Sequence, residues 1–341
     1  MPTEVIQSYR IDPAELPNEA VIFGSTAVMR EVHGQIGRIL HSDLPVLIRG
    51  ESGTGKEVVA KFLHLRSNRC EGPFVKVNCS AVPEGLAETE LFGCGLGQTG
   101  SAIRRGLVDL AAGGTLFLDE IGDLGWTLQS KLLHLLQDGQ YALSEGRQGH
   151  PVRVRVICAT NSDLEKAVEK RAFRQDLFYR IDVINLRLAP LRDRKEDIPQ
   201  LCEHFMHKLS RKFDKVVPPL TPAALHLLRQ WNWPGNMREL ENWIAKVIIL
   251  GDDRAIGMEL PRQMVRSANA QPRNGHLKEA ARQASATAAR ATILKVLRAN
   301  HWNRRKAAEE LNLSYRSLLY KLRDAGVPLR RKSHKRRRPK S

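Results

Sequence analysis

The sequence predicts an α/β fold with a parallel sheet, followed by a smaller helical part and a C-terminal all-α unit. Between residues 21 and 190, short apolar runs alternate with helical stretches, and this order is typical of a parallel sheet with helices on both faces. After residue 191 only helical patterns remain, to about residue 261. The predicted strands are 45–48, 74–77, 115–118 and 152–159, and the predicted helices between them include 57–65 and 127–137.

The composition is that of a globular protein. The chain has 341 residues, 42% hydrophobic and 27% charged, which excludes disorder over its whole length. No apolar run approaches the roughly 18 residues that a membrane span needs, and the N-terminus lacks the pattern of a secretory signal. The five cysteines are scattered without a metal-ligand spacing, so we expect reduced thiols, no zinc site and a cytoplasmic location.

The charge is concentrated at the C-terminal end. Residues 276–341 hold 19 Lys and Arg against 4 Asp and Glu, a net charge of +15 out of +17 for the chain. A near-neutral body with a strongly basic end indicates a polyanion partner, and nucleic acid is favoured over anionic lipid. The predicted segments are a leader with little regular structure (1–20), an α/β subdomain (21–190), a helical subdomain (191–265), a linker (266–277), a DNA-binding domain (278–328) and a basic tail (329–341).

A glycine-rich segment, GESGTGKE, follows the first predicted strand and precedes a helix. Glycines let backbone N–H groups curl around an anion, and the helix N-terminus adds partial positive charge. Lys56 supplies a point charge for the outer phosphates, whereas Glu57 stands where the strict phosphate loop has a hydroxyl for Mg²⁺. The candidate nucleotide-binding residues are Gly50, Glu51, Ser52, Gly53, Thr54, Gly55, Lys56 and Glu57.

A second signal is the apolar strand that ends in Asp119 and Glu120. Paired acids at the carboxyl end of a buried parallel strand lie at the crevice where such sheets bind ligands. One carboxylate can hold Mg²⁺, directly or through water, and the other can polarise an attacking water. The two segments together predict a site for a nucleoside triphosphate.

Seven motifs then occur in a fixed order: GESGTGKE, ELFG, GGTLFLDEIGDL, ATN, FRQDLFYRIDV, LRDRKEDI and WPGNMREL. Together they closely resemble the central AAA+ ATPase domain of bacterial enhancer-binding proteins, the NtrC family that activates sigma-54 RNA polymerase. The resemblance covers residues 21–261 and implies ATP and Mg²⁺ as cofactors. In that family a Glu commonly follows the phosphate-loop Lys, so Glu57 fits the pattern.

The resemblance also implies roles for single residues. Lys56 matches the phosphate-binding lysine, Asp119 the Mg²⁺ acid and Glu120 the acid that activates water. Asn78 matches the residue that pairs with that glutamate and switches it, and Asn161 matches the polar sensor of the γ-phosphate.

Three arginines complete the implied catalytic set. Arg174 and Arg180 match the arginine fingers that reach into a neighbouring subunit's site, and Arg238 matches a second sensor in the helical subdomain. A finger's fork of donors neutralises charge growing on the transferred phosphoryl group. Fingers that act in trans imply a ring, and the resemblance implies that this ring is a hexamer. The expected partner is therefore a homo-oligomer of this chain, from a dimer up to that ring.

One motif departs from the family. Its members carry the loop GAFTGA after ELFG, which contacts sigma-54 through its threonine and aromatic residue. The matching residues here keep a threonine between glycines but lack the aromatic side chain that would anchor such a contact. They are Gly97, Gln98, Thr99, Gly100 and Ser101.

The C-terminal pattern predicts three short helices with a tight turn, typical of a helix-turn-helix. The segment NRRKAAEELNLSYRSLLYKLRDAGV resembles the Fis-type domain of the same family, which acts as a dimer with its third helix in the major groove. The basic tail adds sequence-independent attraction to phosphates. The candidate DNA contacts are Arg304, Arg305, Lys306, Tyr315, Arg316, Ser317, Tyr320 and Lys321.

Three functional hypotheses follow. The first is a bacterial, nucleoid-associated regulator without an N-terminal receiver domain, since a 20-residue leader is too short to fold into one. It would bind upstream double-stranded DNA and hydrolyse ATP to remodel sigma-54 RNA polymerase for promoter opening. The alternative is a DNA-binding regulator that binds ATP but does not remodel sigma-54, because its loop is degenerate. The third, an unrelated AAA+ remodeller such as a replication loader, is disfavoured by the ordered motifs.

Overall fold

The structure is a computed structural model that describes residues 6–81, 84–93, 106–141, 150–215 and 218–251. The chain divides into two compact units, residues 1–264 and 265–341. The second unit, with all eight candidate DNA contacts, lies outside the described residues, as does the loop at 97–101. None of the helices in the described part combines the length and the apolar character that a membrane span requires.

A six-stranded sheet forms the centre of the first unit, in the order β1-β3-β4-β7-β2-β8. β1 pairs with β3 antiparallel, and every other pairing in this sheet is parallel. β5 and β6 form a separate two-stranded ribbon. The strands are β1 Ile6–Tyr9, β2 Val46–Arg49, β3 Phe74–Asn78, β4 Thr115–Asp119, β5 Gln140–Tyr141, β6 His150–Pro151, β7 Arg155–Thr160 and β8 Ile184–Arg187.

Helices flank the sheet and then form a separate lid. Those of the α/β part are α1 Glu19–Phe23, α2 Ala27–Ile39, α3 Lys56–Leu65, α4 Glu84–Phe92, α5 Leu107–Leu110, α6 Trp126–Asp138, α7 Leu164–Glu169 and α8 Gln175–Ile181. The lid helices are α9 Ile198–Phe213, α10 Pro222–Gln230 and α11 Asn236–Leu250.

The strands are apolar along their length because both faces of the sheet are covered. In β2, Leu47 packs into the core cluster on one face, while Val46 and Ile48 pack into the cluster on the other. Phe117 of β4 and Ile157 of β7 belong to the same cluster as Val46. This two-sided burial explains why continuous apolar runs, and not alternating ones, marked the strands in the sequence.

The α/β fold class and the four predicted strands are confirmed, as β2, β3, β4 and β7. The expectation of little regular structure in the leader is wrong. Residues 6–9 form β1, which adds to the edge of β3, with Ile6 opposite Val77 and Tyr9 opposite Phe74. The sequence missed β1 because a four-residue edge strand carries too few apolar side chains to show a period.

The lid is tied to the α/β part where it begins. Arg194 and Asp197, both about 1% exposed, form an ion pair with 3.0 Å between Nε and Oδ2. The Asp197 carboxylate also accepts hydrogen bonds from the backbone N–H and the hydroxyl of Ser25, which follows α1. A Cβ on Gly24 would lie 2.2 Å from that carboxylate, so only glycine fits there. The start of α9 is therefore fixed against the turn between α1 and α2.

Candidate nucleotide-binding site

The glycine-rich loop runs from the end of β2 to the start of α3. Gly53 and Gly55 have φ angles of +79° and +94°, in the left-handed region that favours glycine. A Cβ on Gly53 would also lie 2.3 Å from the backbone oxygen of Gly235 in the lid. Both conformation and contact therefore require glycine at residue 53.

Lys56 lies at the N-terminus of α3 and is 6% exposed. Its Nζ donates to the backbone oxygens of Gly50, at 2.9 Å, and Glu51, at 3.3 Å. The same Nζ lies 3.4 Å from Oε1 of Glu120. The ammonium group is thus held between the phosphate loop and the second acid of β4.

The two acids lie at the carboxyl end of β4, as predicted. Asp119 is in register with Asn78 at the end of β3. Burial raises the pKa of Asp119, and nearby Lys76 opposes that rise. Glu120 has a left-handed φ of 53°, and its Oε2 accepts a hydrogen bond of 2.9 Å from the backbone N–H of Asn161, just after β7. The carboxyl ends of β3, β4 and β7 therefore bring Asn78, Asp119, Glu120 and Asn161 to one edge of the sheet.

Asn78 makes a different contact from the one that the resemblance implies. Its Oδ1 accepts hydrogen bonds from the backbone N–H and the hydroxyl of Ser80, at 3.2 and 2.8 Å. The carboxylate of Glu120 is engaged instead by Lys56 and by the Asn161 backbone. Asn78 and Glu120 nevertheless line the same cleft.

Glu57 occupies the helix position where a phosphate loop usually has a hydroxyl. Its two carboxylate oxygens contact Nζ of Lys61 at 2.8 Å and Nζ of Lys76 at 2.6 Å. Burial disfavours its ionised form, but the hydrogen bonds from the two lysines hold the pKa of Glu57 below its ordinary value. Glu57 therefore remains charged and fixes Lys61 and Lys76 at the wall of the cleft.

The cleft has a volume of about 1010 Å³ and two chemically different parts. One part is apolar and includes Ile11, Ile22 and Met29. The other contains the loop, the two acids and basic side chains of the lid. This combination suits a ligand with an apolar ring and a polyanionic end. The lid contributes His204, His207, Lys208, Arg211 and Arg238 to the wall.

The donor set suits Mg²⁺ as a companion of phosphates. Among the described residues, no group of three or more His, Cys, Asp or Glu could hold a metal ion. Mg²⁺ is usually bound by one or two carboxylates together with substrate phosphates, so a protein cage is not required. Asp119, partly buried at the end of β4, fits as that carboxylate.

The lid grips the phosphate loop through contacts that we call the lid latch: Arg192, Asn236, Met237 and Arg238 on residues 51–53. Nδ2 of Asn236 donates to the backbone oxygen of Ser52 at 3.0 Å, and the N–H of Met237 donates to that of Gly53 at 3.0 Å. Asn236 is fully buried and also accepts a 2.8 Å bond from the N–H of Leu191.

The exposed half of the lid latch is electrostatic. Arg192 binds Glu51 with two hydrogen bonds of 2.8 and 2.7 Å, and these lower the pKa of Glu51. Nη1 of Arg238 donates to the hydroxyl of Ser52 at 3.3 Å. Arg238 was predicted from its match to the family motif, whereas Arg192 and Asn236 were not predicted. Nothing in the residues beside those two indicates a partner more than 140 positions away in the chain.

The two remaining arginines lie elsewhere. Arg174 binds Asp176 with two hydrogen bonds of 3.0 and 2.7 Å, and its guanidinium lies 5.4 Å from the ring centre of Trp126. Nε and Nη2 of Arg180 both donate to the backbone oxygen of Leu136, at 3.1 and 2.7 Å. Both arginines rest on α6, and neither is among the described residues that line the cleft.

Comparisons with known proteins agree with this geometry. Residues 22–187 match the family model "Sigma-54 interaction domain", residues 192–277 match "AAA+ ATPase lid domain", and residues 290–324 match "Bacterial regulatory protein, Fis family". Regulatory protein AtoC of Escherichia coli is 42% identical over 90% of this chain and 68% of its own length. A Nif-specific regulatory protein of Azotobacter vinelandii is 38% identical over 92% of this chain and 60% of its own length.

A solved structure is similar over most of the chain. NtrX from Brucella abortus in complex with ADP is 30% identical, with a TM-score of 0.62, over 89% of this chain and 69% of that protein. The structure of the same protein with ATP has a TM-score of 0.62 and covers 93% of this chain and 70% of that one.

Proposed function

This chain belongs to the NtrC-type family of sigma-54-dependent transcriptional regulators, and on that premise we propose that it hydrolyses ATP, with Mg²⁺, in an oligomer of its own copies to drive promoter opening. The AAA+ ATPase domain and lid supply the general activity. The observation that carries the proposal is the convergence of Lys56, Asp119 and Glu120 on one cleft. That Brucella NtrX binds ADP and ATP supports a nucleotide as the ligand.

Each residue of the cleft has a chemical task. Lys56 and the N–H groups at the start of α3 bind the outer phosphates. Asp119 holds Mg²⁺, which neutralises phosphate charge when bound. Glu120 orients the attacking water and accepts its proton, and its left-handed backbone with the Asn161 contact keeps the carboxylate at the sheet edge.

Arg174 and Arg180 are proposed to act on a neighbouring subunit. Within one chain they rest on α6, outside the cleft. An arginine that is exposed and already oriented can serve a second molecule that docks against it. This placement supports an oligomer in which each cleft is completed by the next copy.

Remodelling of sigma-54 RNA polymerase is favoured over ATP binding alone. The sigma-54 interaction family model matches residues 22–187, and Lys56, Asp119 and Glu120 are all present. Thr99 and its flanking glycines are proposed to make the contact with sigma-54 despite the missing aromatic residue. The Fis-type domain holds the regulator on upstream double-stranded DNA.

Open-complex formation on a supercoiled sigma-54 promoter, with purified holoenzyme and ATP, tests this function. We expect wild type to form open complexes, Lys56→Ala to form none, and Thr99→Ala to hydrolyse ATP without opening the promoter. The control is Lys170→Ala, an exposed lysine away from the cleft. Promoter opening that is insensitive to both variants would contradict the proposal and favour the regulator that only binds DNA and ATP.

A further inference from the structure

Gln129 is a fully buried polar side chain in the first half of α6, with 0% exposure. Its Nε2 donates to the backbone oxygens of Leu124, at 2.7 Å, and Ala172, at 3.2 Å. Its Oε1 accepts a hydrogen bond of 2.8 Å from the backbone N–H of Arg174. Both the nitrogen and the oxygen of the Gln129 amide are thus hydrogen-bonded to the backbone of two other segments.

The first of these segments follows Glu120 directly. A short 3-10 turn, Ile121–Asp123, begins after Glu120 and ends at Leu124. The backbone N–H of Asp123 donates to the backbone oxygen of Glu120 at 3.0 Å, so a hydrogen bond joins this turn to the catalytic acid. Gln129 binds the last residue of the turn.

The second segment is the start of α8. Arg174 is the residue that precedes the helix, and neighbouring Phe173 is 1% exposed and anchored in the core. Gln129 binds the backbone on both sides of Phe173, at Ala172 and Arg174. The Cα of Arg174 is therefore fixed from the core side, while Asp176 and Trp126 orient its guanidinium from outside.

We propose that Gln129 is the positioning residue of the arginine finger Arg174. The inference rests on the proposed function, in which Arg174 acts on the nucleotide of a neighbouring subunit. Without the amide, the Arg174 N–H loses its acceptor and the Ala172 oxygen loses a donor, so the segment before α8 is freed. A misplacement of about 1 Å can lower a reaction rate by ~100-fold. We therefore expect the rate of ATP hydrolysis in the neighbouring subunit to fall.

The first test compares Gln129→Leu, Gln129→Glu and the control Gln137→Leu, which alters an exposed glutamine of the same helix. Gln129→Glu keeps an acceptor for Arg174 but loses both donors. We expect kcat to fall by roughly 10- to 100-fold for Gln129→Leu and less for Gln129→Glu, with ATP affinity within about 2-fold of wild type. Gln137→Leu keeps the wild-type kcat. Equal kcat for Gln129→Leu and wild type would overturn the inference.

The second test mixes subunits of two variants, one with a defective finger and one with a defective cleft. If the finger acts in trans, the intact finger of one variant can serve the intact cleft of the other. Gln129→Leu changes no residue that lines the cleft, and Glu120→Gln has an unchanged finger with a disabled cleft. We expect the mixture to regain ATPase activity above the sum of the two pure proteins. No recovery would place the defect in the cleft of Gln129→Leu itself and overturn the inference.

Arg174→Ala separates this inference from the proposed function. If Arg174→Ala alone hydrolyses ATP like wild type, or fails to complement Glu120→Gln, the trans finger itself is wrong. If Arg174→Ala complements and Gln129→Leu does not, only the role of Gln129 is wrong. Thermal unfolding is followed for every variant, and unfolding of both Gln129 variants below the assay temperature would assign the residue a purely structural role.

Discussion

The lid and the segment 174–180 each carry a pair of arginines, and the two pairs contact different parts of the chain. Arg192 and Arg238 of the lid reach residues 51 and 52 in the phosphate loop of their own chain. Arg174 and Arg180 rest on α6 and are not among the described residues that line that cleft. One chain therefore contains the contacts that join its phosphate loop to its lid, whereas the second pair is the one that we propose acts on another copy.

The largest effect on ATP hydrolysis is expected from a change at Arg174. Arg174→Ala removes the finger, and we expect kcat to fall by about 1000-fold or more, since fingers contribute on that order. ATP affinity should stay near wild type, because Arg174 does not line the cleft of its own chain. Steady-state ATPase assays and nucleotide titration measure the two quantities. Arg229→Ala, which changes an exposed arginine of α10, is the control. A loss of ATP affinity in Arg174→Ala would contradict the placement of Arg174 outside the cleft of its own chain.

A smaller effect is expected where the lid touches the loop. Gly53→Ala places a Cβ at 2.3 Å from the Gly235 oxygen and forces alanine into a left-handed φ of +79°. We expect the free energy of unfolding to fall by about 2 kcal/mol and ATP affinity to fall with it, because the lid must move away.

Gly34→Ala is the matched control. Nothing lies within 4 Å of a Cβ at Gly34, which is inside α2, so we expect a gain of about 0.5 kcal/mol from helix propensity. Denaturant unfolding measures both variants. The same sign of change in both would show that the lid contact does not restrict residue 53.

The smallest effect is the pH dependence of the lid latch. Arg192 and then Asn236 lower the pKa of Glu51 below its ordinary value of 4.5. A lowered folded-state pKa means that the contribution to stability is complete above about pH 4.5 and is lost as pH falls through the folded-state value. Glu51 and Arg192 are both well exposed, so the magnitude is small.

We therefore expect the melting temperatures of wild type and Glu51→Gln to differ slightly at neutral pH and to converge in acid. Melting curves recorded from about pH 3 to about pH 7, a range that includes the ordinary pKa values of carboxyl groups, measure the difference in melting temperature. The Arg192→Gln variant should show the same convergence, and the double variant should add nothing. A difference that grows in acid would contradict the electrostatic account of the lid latch.

Local patterns predicted much of the site. The loop at 50–57, the acids at 119 and 120 and the strands that carry them were identified because each is a continuous segment with its own spacing. The observed contact between Lys56 and Glu120, 3.4 Å apart, is consistent with the expectation that loop and acids share one cleft. The roles assigned to Asn161, Arg174 and Arg180 remain proposals, now with defined positions.

Other features could not be predicted from the sequence, because their partners are distant in the chain. Asn236 meets Ser52 across 184 residues, and Gln129 meets Arg174 across 45. The residues adjacent in sequence to Asn236 and Gln129 do not indicate such a hydrogen bond. Asn78, the last residue of β3, contacts Ser80, and its pairing with Glu120 stays an expectation from the resemblance, although Asn78 lies in register with Asp119.

The amino-acid sequence alone was enough to identify the phosphate loop and the strands β2, β3, β4 and β7, because glycine conformations, apolar runs and acidic strand ends act over a few neighbouring residues. The backbone groups that the buried amides of Gln129 and Asn236 bind, and the contacts of each arginine pair, were settled by the tertiary structure. The physical reason is that a buried polar group must find a partner, and packing of the distant segments settles which one is within reach.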